Sequence, residues 1–376
     1  MKTRHILPFA ALLGTLATAA PFDSGSTGAL GDLLVTNATV IPLPPDGVLH
    51  YKRVEITREG LVTFVKNALN TPVTLLAQGE VIIAGDLFVD GTGPSGGDPG
   101  RAGPGGFDGG RGNSGDQPAG PGRGPGGAKP GFEFGAGSGA YADQGETGGG
   151  RGAVAGDTYG DPLLLPVIGG SGGGGRTECY CGGGGGGGAI LIASVVRIAL
   201  PTAEHGVFAR GGNALQNGGS GGAIRLVAPV VEGVGTLNVA GGAHSGSGRI
   251  RIDSRDASKA TFALAGHWSI GSLMLTKLPV EPKLNLLKIG DKDIPQDAAG
   301  TVTVVFPNGT PAERIVQVQA KDFGSVVPIR VALTPDYGDR VIVDAELDNT
   351  APGVATASIP VTFPLNVTVA VNVWTR

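Results

Sequence analysis

Cysteine is nearly absent. The 376-residue chain has two, Cys179 and Cys181, with Tyr180 between them. A scaffold held together by disulfides is therefore excluded. A cysteine-based metal centre is excluded as well, since no further ligand stands beside the pair. In an exported chain the two can close on each other as a small, strained disulfide. A strong charge of one sign is also missing. Lysine and arginine total 28 against 32 aspartates and glutamates, a net charge of −4. That balance points away from nucleic acid and from an acidic membrane surface as main partners. Beyond the N-terminus no run approaches the ~20 apolar residues of a transmembrane helix. Helical periodicity is weak everywhere after the N-terminal segment, and extended apolar stretches with no helices between them argue against a doubly wound α/β fold.

What is abundant is glycine, with 70 residues, and proline adds 27. An average chain carries about 7% glycine. The N-terminus has its own pattern. Met1 to His5 is short and basic, Ile6 to Leu16 is apolar, and Ala17-Thr18-Ala19 fits a small-x-small cleavage site. Residues 1–19 thus read as a signal peptide, with the mature chain beginning near Ala20 and the protein secreted or held at the cell surface.

The mature chain is organised by an internal repeat. One version runs Pro72 to Ala77, Gly79 to Ala84, Leu87 to Gly91. A second runs Ala189 to Ser194, Val195 to Ala199, Val207 to Gly211. A third runs Ala223 to Ala228, Val230 to Gly233, Leu237 to Gly241, and a fourth begins at Arg249. Each unit is two or three short strands of period 2. Alignment places Val73/Leu75, Ile190/Ile192, Ile224/Leu226 and Ile250/Ile252 in two inward stacks, with Thr74, Leu191, Arg225 and Arg251 in an outward column. One unit alone cannot bury its apolar face; stacked units share a core at the ~4.8 Å strand spacing. The expected fold is all-β: a parallel β-solenoid over residues 20–275, interrupted by a Gly-rich insert at 91–188, and a small C-terminal β-sandwich over 280–376. The sandwich is read from short alternating segments at Thr301 to Phe306, Arg314 to Gln319, Val327 to Leu333, Arg340 to Ala345 and Val367 to Val373.

Over about residues 50–255, with runs such as Gly-Gly-Ala-Ile-Leu-Ile-Ala and Gly-Gly-Ala-Ile-Arg-Leu-Val-Ala after glycine tracts, the chain resembles right-handed β-helices of the pectin-lyase-like kind. More narrowly, it resembles exported bacterial glycine-rich proteins. The resemblance implies a fold and carries no activity with it.

Within the insert, Gly97, Gly100, Gly103, Gly106, Gly109, Gly112 and Gly115 keep a strict period of three. This is the period of a polyproline II helix, and a bare edge lets such helices touch side by side. The insert and the smaller loops at 211–222 and 241–248 leave from equivalent corners, so all three are expected to pack together, with Pro99, Arg101, Phe107 and Asp108 facing outward. The competing expectation is a disordered loop.

No catalytic constellation stands out. Asp86, Asp90, Asp253 and Asp256 read as turn and surface carboxylates, because nothing in their spacing forces a pair together. His50, His205, His244 and His267 are scattered. Ser24, Ser171 and Ser220 lie in Gly-rich turns without a strand–nucleophile–helix elbow. No catalytic, cofactor-binding or metal-binding residue is assigned, and no cofactor is implied. Arg225, Arg249 and Arg251 would stack as like charges on neighbouring units, and either a carboxylate such as Glu232 or a bound anionic polymer would offset them. The expected function is that of an exported structural, adhesive or envelope-associated protein. The alternative is a β-helix that binds or degrades polysaccharide. Expected partners are extracellular polysaccharide or other surface proteins. The oligomeric state is left open.

Overall fold

The computed structural model describes residues 21–132 and 135–376. The expected signal peptide lies outside the described residues. Among the described residues the fold is all-β, without a helix, and no helix is long and apolar enough to cross a membrane.

Sixteen short strands precede the C-terminal part. They are β1 (Asp32–Val35), β2 (Ala38–Pro42), β3 (Val48–Tyr51), β4 (Arg53–Ile56), β5 (Leu61–Val65), β6 (Val73–Ala77), β7 (Val81–Ile83) and β8 (Asp86–Phe88), then, after the Gly-rich segment, β9 (Ala189–Ser194), β10 (Arg197–Leu200), β11 (Gly206–Phe208), β12 (Ala223–Gly233), β13 (Thr236–Asn238), β14 (Arg249–Asp256), β15 (Ala263–Ala265) and β16 (His267–Gly271). All their pairings are parallel. A ten-stranded sheet runs β1-β4-β7-β10-β12-β9-β6-β3, with β14 on β12 and β16 on β14, and a six-stranded sheet runs β15-β13-β11-β8-β5-β2. Up to β12, paired strands stand three apart in sequence. The long β12 joins two ladders, its first half between β9 and β14 and its second half on β10.

The register matches the repeat alignment. Val73 pairs with Ile190, Ile190 with Ile224 and Ile224 with Ile250; Leu75, Ile192, Leu226 and Ile252 form the neighbouring stack. All eight side chains are at most 1% exposed and belong to one core. Branched side chains of like shape suit such stacking. Two units precede those read from sequence: β3–β5, and β1 with β2, which add Leu49, Val54, Ile56 and Val62 to the same core.

The outward face of the ladder through β6, β9, β12 and β14 is covered rather than wet. Phe22, Leu76, Leu191, Ala193 and Val227 form a second cluster there, with Val167 and Met274 against it.

The last part holds β17 (Lys283–Ile289), β18 (Lys292–Asp293), β19 (Glu313–Lys321), β20 (Val326–Pro335), β21 (Val341–Asp348), β22 (Val354–Thr362) and β23 (Val369–Thr375). These make two antiparallel sheets, β18-β17-β19-β22 and β21-β20-β23. Val316 and Val318 of one and Ile329, Val331 and Leu333 of the other share a single core. Thr301 to Phe306 is not a strand: it stays unpaired, with Val305 77% exposed and Phe306 against the core.

Candidate functional site

The described residues of the Gly-rich segment are ordered. Between Phe88 and Ala189 the described residues form no strand or helix of any length, only isolated bridges. Their backbone groups bond one another instead. Gly103 N donates to Gly186 O at 3.1 Å, Phe107 N to Gly170 O at 2.9 Å, Gly170 N to Gly187 O at 2.8 Å and Gly187 N to Ser220 O at 2.8 Å. The network continues into the smaller loops: Gly212 N donates to Gly185 O at 2.8 Å, Gly242 N to Gly219 O at 2.9 Å and Gly221 N to Gly246 O at 3.0 Å. The insert and both loops thus form one hydrogen-bonded slab. Buried backbone groups must find partners, and here other glycine backbones supply them.

Close approach explains the period of three. A Cβ on Gly106 would lie 2.6 Å from Gly187 O, and on Gly112 2.6 Å from the Tyr180 carbonyl carbon. At Gly100, Gly103 and Gly109 neighbouring backbone would stand closer still. The ends of the run differ. A Cβ on Gly97 would meet nothing nearer than Tyr180 O at 3.2 Å, and Gly115 sits in a turn with nothing within 4 Å. Of the intervening residues, Arg101 is exposed, whereas Pro99, Phe107 and Asp108 are half-buried. Phe107 meets Trp374 edge-on, centroids 6.5 Å apart, because the C-terminal sheets cover that side of the slab.

Charged residues fasten this seam. Arg340 donates to Gly124 O at 2.7 Å and Gly127 O at 3.1 Å. Burial, with Arg330 nearby, pulls its guanidinium down to about 10. Arg330 bridges Asp344, at 2.7 and 3.0 Å, to Asp157 of the insert at 3.0 Å. Those bonds hold the Asp344 carboxyl below its ordinary range.

At the edge of the seam a cleft of about 540 Å³ opens between slab and sheet. Arg101, Arg111, Arg123, Asp98, Asp108 and Asp336 line it. Only Arg123–Asp336 is tight, at 2.9 Å; Arg111–Asp98 is 3.4 Å, and Asp108 faces Lys66 of the insert's flank at 3.6 Å. Among the described residues no carboxylate pairs with Arg101. Guanidinium donors and carboxylate acceptors in one cleft can take the hydroxyl and carboxylate groups of a polar ligand.

The three arginines expected to meet an anionic polymer are engaged internally. Arg225 is 0% exposed and Arg251 9%, on either side of Asp253, itself 0% exposed. Arg225 donates to one Asp253 oxygen at 3.0 and 3.2 Å; Arg251 donates to the other at 2.7 and 3.0 Å, and Leu273 N joins at 3.0 Å. The column does face away from the core, but the segment through Leu273 and Met274 closes over it. A bulky polymer therefore has no access to Arg225 or Arg251. Burial lowers the Arg225 pKa, and the Asp253 hydrogen bonds oppose that. Arg249 is half-buried, donates to Tyr159 O at 3.2 Å and lies over the Tyr141 ring at 5.6 Å. The offsetting carboxylate is Asp253. Glu232 instead pairs with Arg197, which also holds Glu80 at 2.8 Å. Asp253 is thus corrected from a surface carboxylate to a buried one. The alternation Arg249-Ile-Arg-Ile-Asp253 had already put residues 249, 251 and 253 on one face.

The remaining candidates are dispersed. Asp86 accepts from Gly206 N, and Asp90 takes Arg210 in a fork at 2.6 and 3.0 Å. Asp256 caps a turn through Ser258. His50 accepts from Thr27 N, His205 lies 3.2 Å from Asp86, His244 meets Glu146 at 2.8 Å and His267 meets Asp143 at 3.0 Å. Ser24 is buried and donates to Ala77 O, and Ser171 and Ser220 bond each other within the slab. Cys179 and Cys181 are bonded. Among the described residues no group of His, Cys, Asp and Glu is arranged to hold a metal ion. Comparison with family models, curated proteins and solved structures finds no match to this chain.

Proposed function

We propose that the chain is an exported structural protein of the cell surface or its surroundings. It is built as a parallel β-solenoid with a glycine slab on one side and a C-terminal β-sandwich locked against the slab. The solenoid reading rests on the threefold recurrence of parallel pairing and on the unbroken stacks from Val73 to Ile250. The observation that carries the functional reading is the slab. Roughly a quarter of the chain is committed to a segment whose glycine backbones pack directly on one another, with few side chains between them. Catalysis needs converging side chains or donors aimed at a reacting atom. Interlocked glycine backbone supplies stiffness and an extended face instead.

The N-terminus supports export. Cleavage after Ala19 leaves Phe22, 6% exposed, to dock beside Leu76, and Ser24 to bond Ala77. A cut beyond Phe22 would remove a buried anchor. Fractionation of bacterial cells producing the full chain tests this. A product beginning near Ala20 in the medium, or open to protease on intact cells, supports the reading; a cytoplasmic product retaining Met1 contradicts it.

A second reading, polysaccharide binding, is favoured by the charged cleft around Arg101. It makes the slab an adhesive face rather than a purely mechanical one.

A further inference from the structure

The two cysteines form a bond that holds nothing distant. Cys179 and Cys181 are separated by 2 in sequence. A cross-link stabilises mainly by restricting the unfolded chain, and the effect shrinks as the enclosed loop shortens. This loop is near the minimum. Its base is, besides, already clamped. Arg176 N donates to Cys181 O at 2.8 Å, Thr177 N to Gly131 O at 3.1 Å and Gly182 N to Gly96 O at 2.9 Å. The tip would keep its place without the sulfur bridge. Yet it is offered to solvent: Glu178 and Cys179 are exposed and Tyr180 is 59% exposed, while Cys181 is half-buried. The rest of the chain has no other cysteine that could compete for either sulfur.

We propose that Cys179–Cys181 is an exchange-active disulfide, which oxidises a dithiol on an extracellular protein or peptide. The extracellular client rests on the export reading given above, while the exchange itself is separate from the structural role. A client thiolate attacks Cys179 Sγ, on the more exposed of the two residues. The Cys179–Cys181 bond breaks, and its electron pair leaves on Cys181 Sγ, which takes a proton from water. The client's second thiolate attacks the client sulfur of the mixed disulfide, forms the client disulfide and releases Cys179 as a thiolate. Two electrons pass from client to pair. A low-molecular-weight disulfide, such as glutathione disulfide, restores the bond by the same exchange in reverse. The rigid slab holds the tip out, so a client approaches without disturbing the core.

The test uses the full chain and a reduced peptide with two cysteines, with peptide oxidation followed by mass spectrometry. The expected result is oxidation faster than the buffer blank, matched by loss of the Cys179–Cys181 bond and sustained by added glutathione disulfide. Cys181→Ser keeps the Cys179 thiol but has no disulfide to give up, so without glutathione disulfide it should leave the peptide reduced. The double substitution Cys179→Ser, Cys181→Ser should lose the reaction and keep the melting temperature of the wild type. Oxidation no faster than the blank overturns the proposal. So does a double variant that melts well below the wild type, because the bond would then be structural.

Discussion

Alanine at Gly106 separates a packed slab from a loose loop by whether it destabilises at all. In the structure its Cβ would stand 2.6 Å from Gly187 O, 3.1 Å from Gly186 O and 3.2 Å from the Ala102 Cβ. Ordinary contact begins near 3.4 Å, so the Gly187 carbonyl must retreat by roughly 0.8 Å. That carbonyl already accepts from Gly170 N at 2.8 Å, and Gly186 O accepts from Gly103 N at 3.1 Å. The neighbours are backbone and have no rotamer to change. Overpacking of this kind costs about 1–3 kcal/mol, and each weakened hydrogen bond adds up to about 1 kcal/mol. Gly106→Ala is therefore expected to destabilise by roughly 2–4 kcal/mol. The matched control is Gly97→Ala in the same run, where the nearest atom is Tyr180 O at 3.2 Å; its effect should stay within about 1 kcal/mol. In a disordered loop neither substitution would change stability appreciably, because the chain there would be equally free in the folded and unfolded states. Calorimetric melting of the mature protein decides between them. A Gly106→Ala variant that melts at or above the wild type refutes the packing argument. Ala102→Val, at an intervening position, is no neutral control, because Ala102 is 6% exposed and touches the same site.

Further outcomes are expected. Ile224→Ala, inside the core stack that runs from Val73 to Ile250, should cost about 2–5 kcal/mol in a denaturant titration, and an unchanged midpoint would contradict the register. Asp253→Ala leaves two guanidiniums without their buried carboxylate and should cost about 3–5 kcal/mol; a variant as stable as the wild type would mean that the triad is not closed to water. Asp344 is held below its ordinary value of 3.8, chiefly by the Arg330 hydrogen bonds. A lowered carboxyl pKa contributes stability that is fully present above the ordinary value and is lost as pH falls through the lowered one. Melting temperature should accordingly fall less steeply in acid for Asp344→Asn than for the wild type, and parallel pH profiles would contradict this.

Legibility followed the source of each constraint. The core stacks could be read because Ile190, Ile224 and Ile250 recur after glycine tracts with the same alternation, and identical shapes align only one way. The units at β3–β5 were harder to see: Val48 to Tyr51 carries His50 and follows no glycine tract. In the C-terminal part, β22 reads Val-Ala-Thr-Ala-Ser-Ile-Pro-Val-Thr, small side chains with a proline, so its apolar face is weak. Thr301 to Phe306 has the better pattern and no partner. Alternation gives a strand one face, but pairing needs a neighbouring edge. The period of three announced the slab, whereas its partners, Gly170, Gly172 to Gly175 and Gly183 to Gly188, lie far along the chain and lack the same spacing. The burial of Arg225 was illegible for a similar reason. Local alternation turns it outward, and what covers it arrives nearly fifty residues later at Leu273.

Hydrogen exchange at the slab amides measures the central claim most directly. Gly170, Gly173, Gly183 and Gly187 each donate to another backbone carbonyl, at 2.8–2.9 Å, from buried positions. Exchange from such groups requires the slab to open. The account predicts that these amides exchange as slowly as those of Ile192 and Leu226 in the parallel core. Exchange across residues 91–188 at the rate of an unstructured peptide would contradict it.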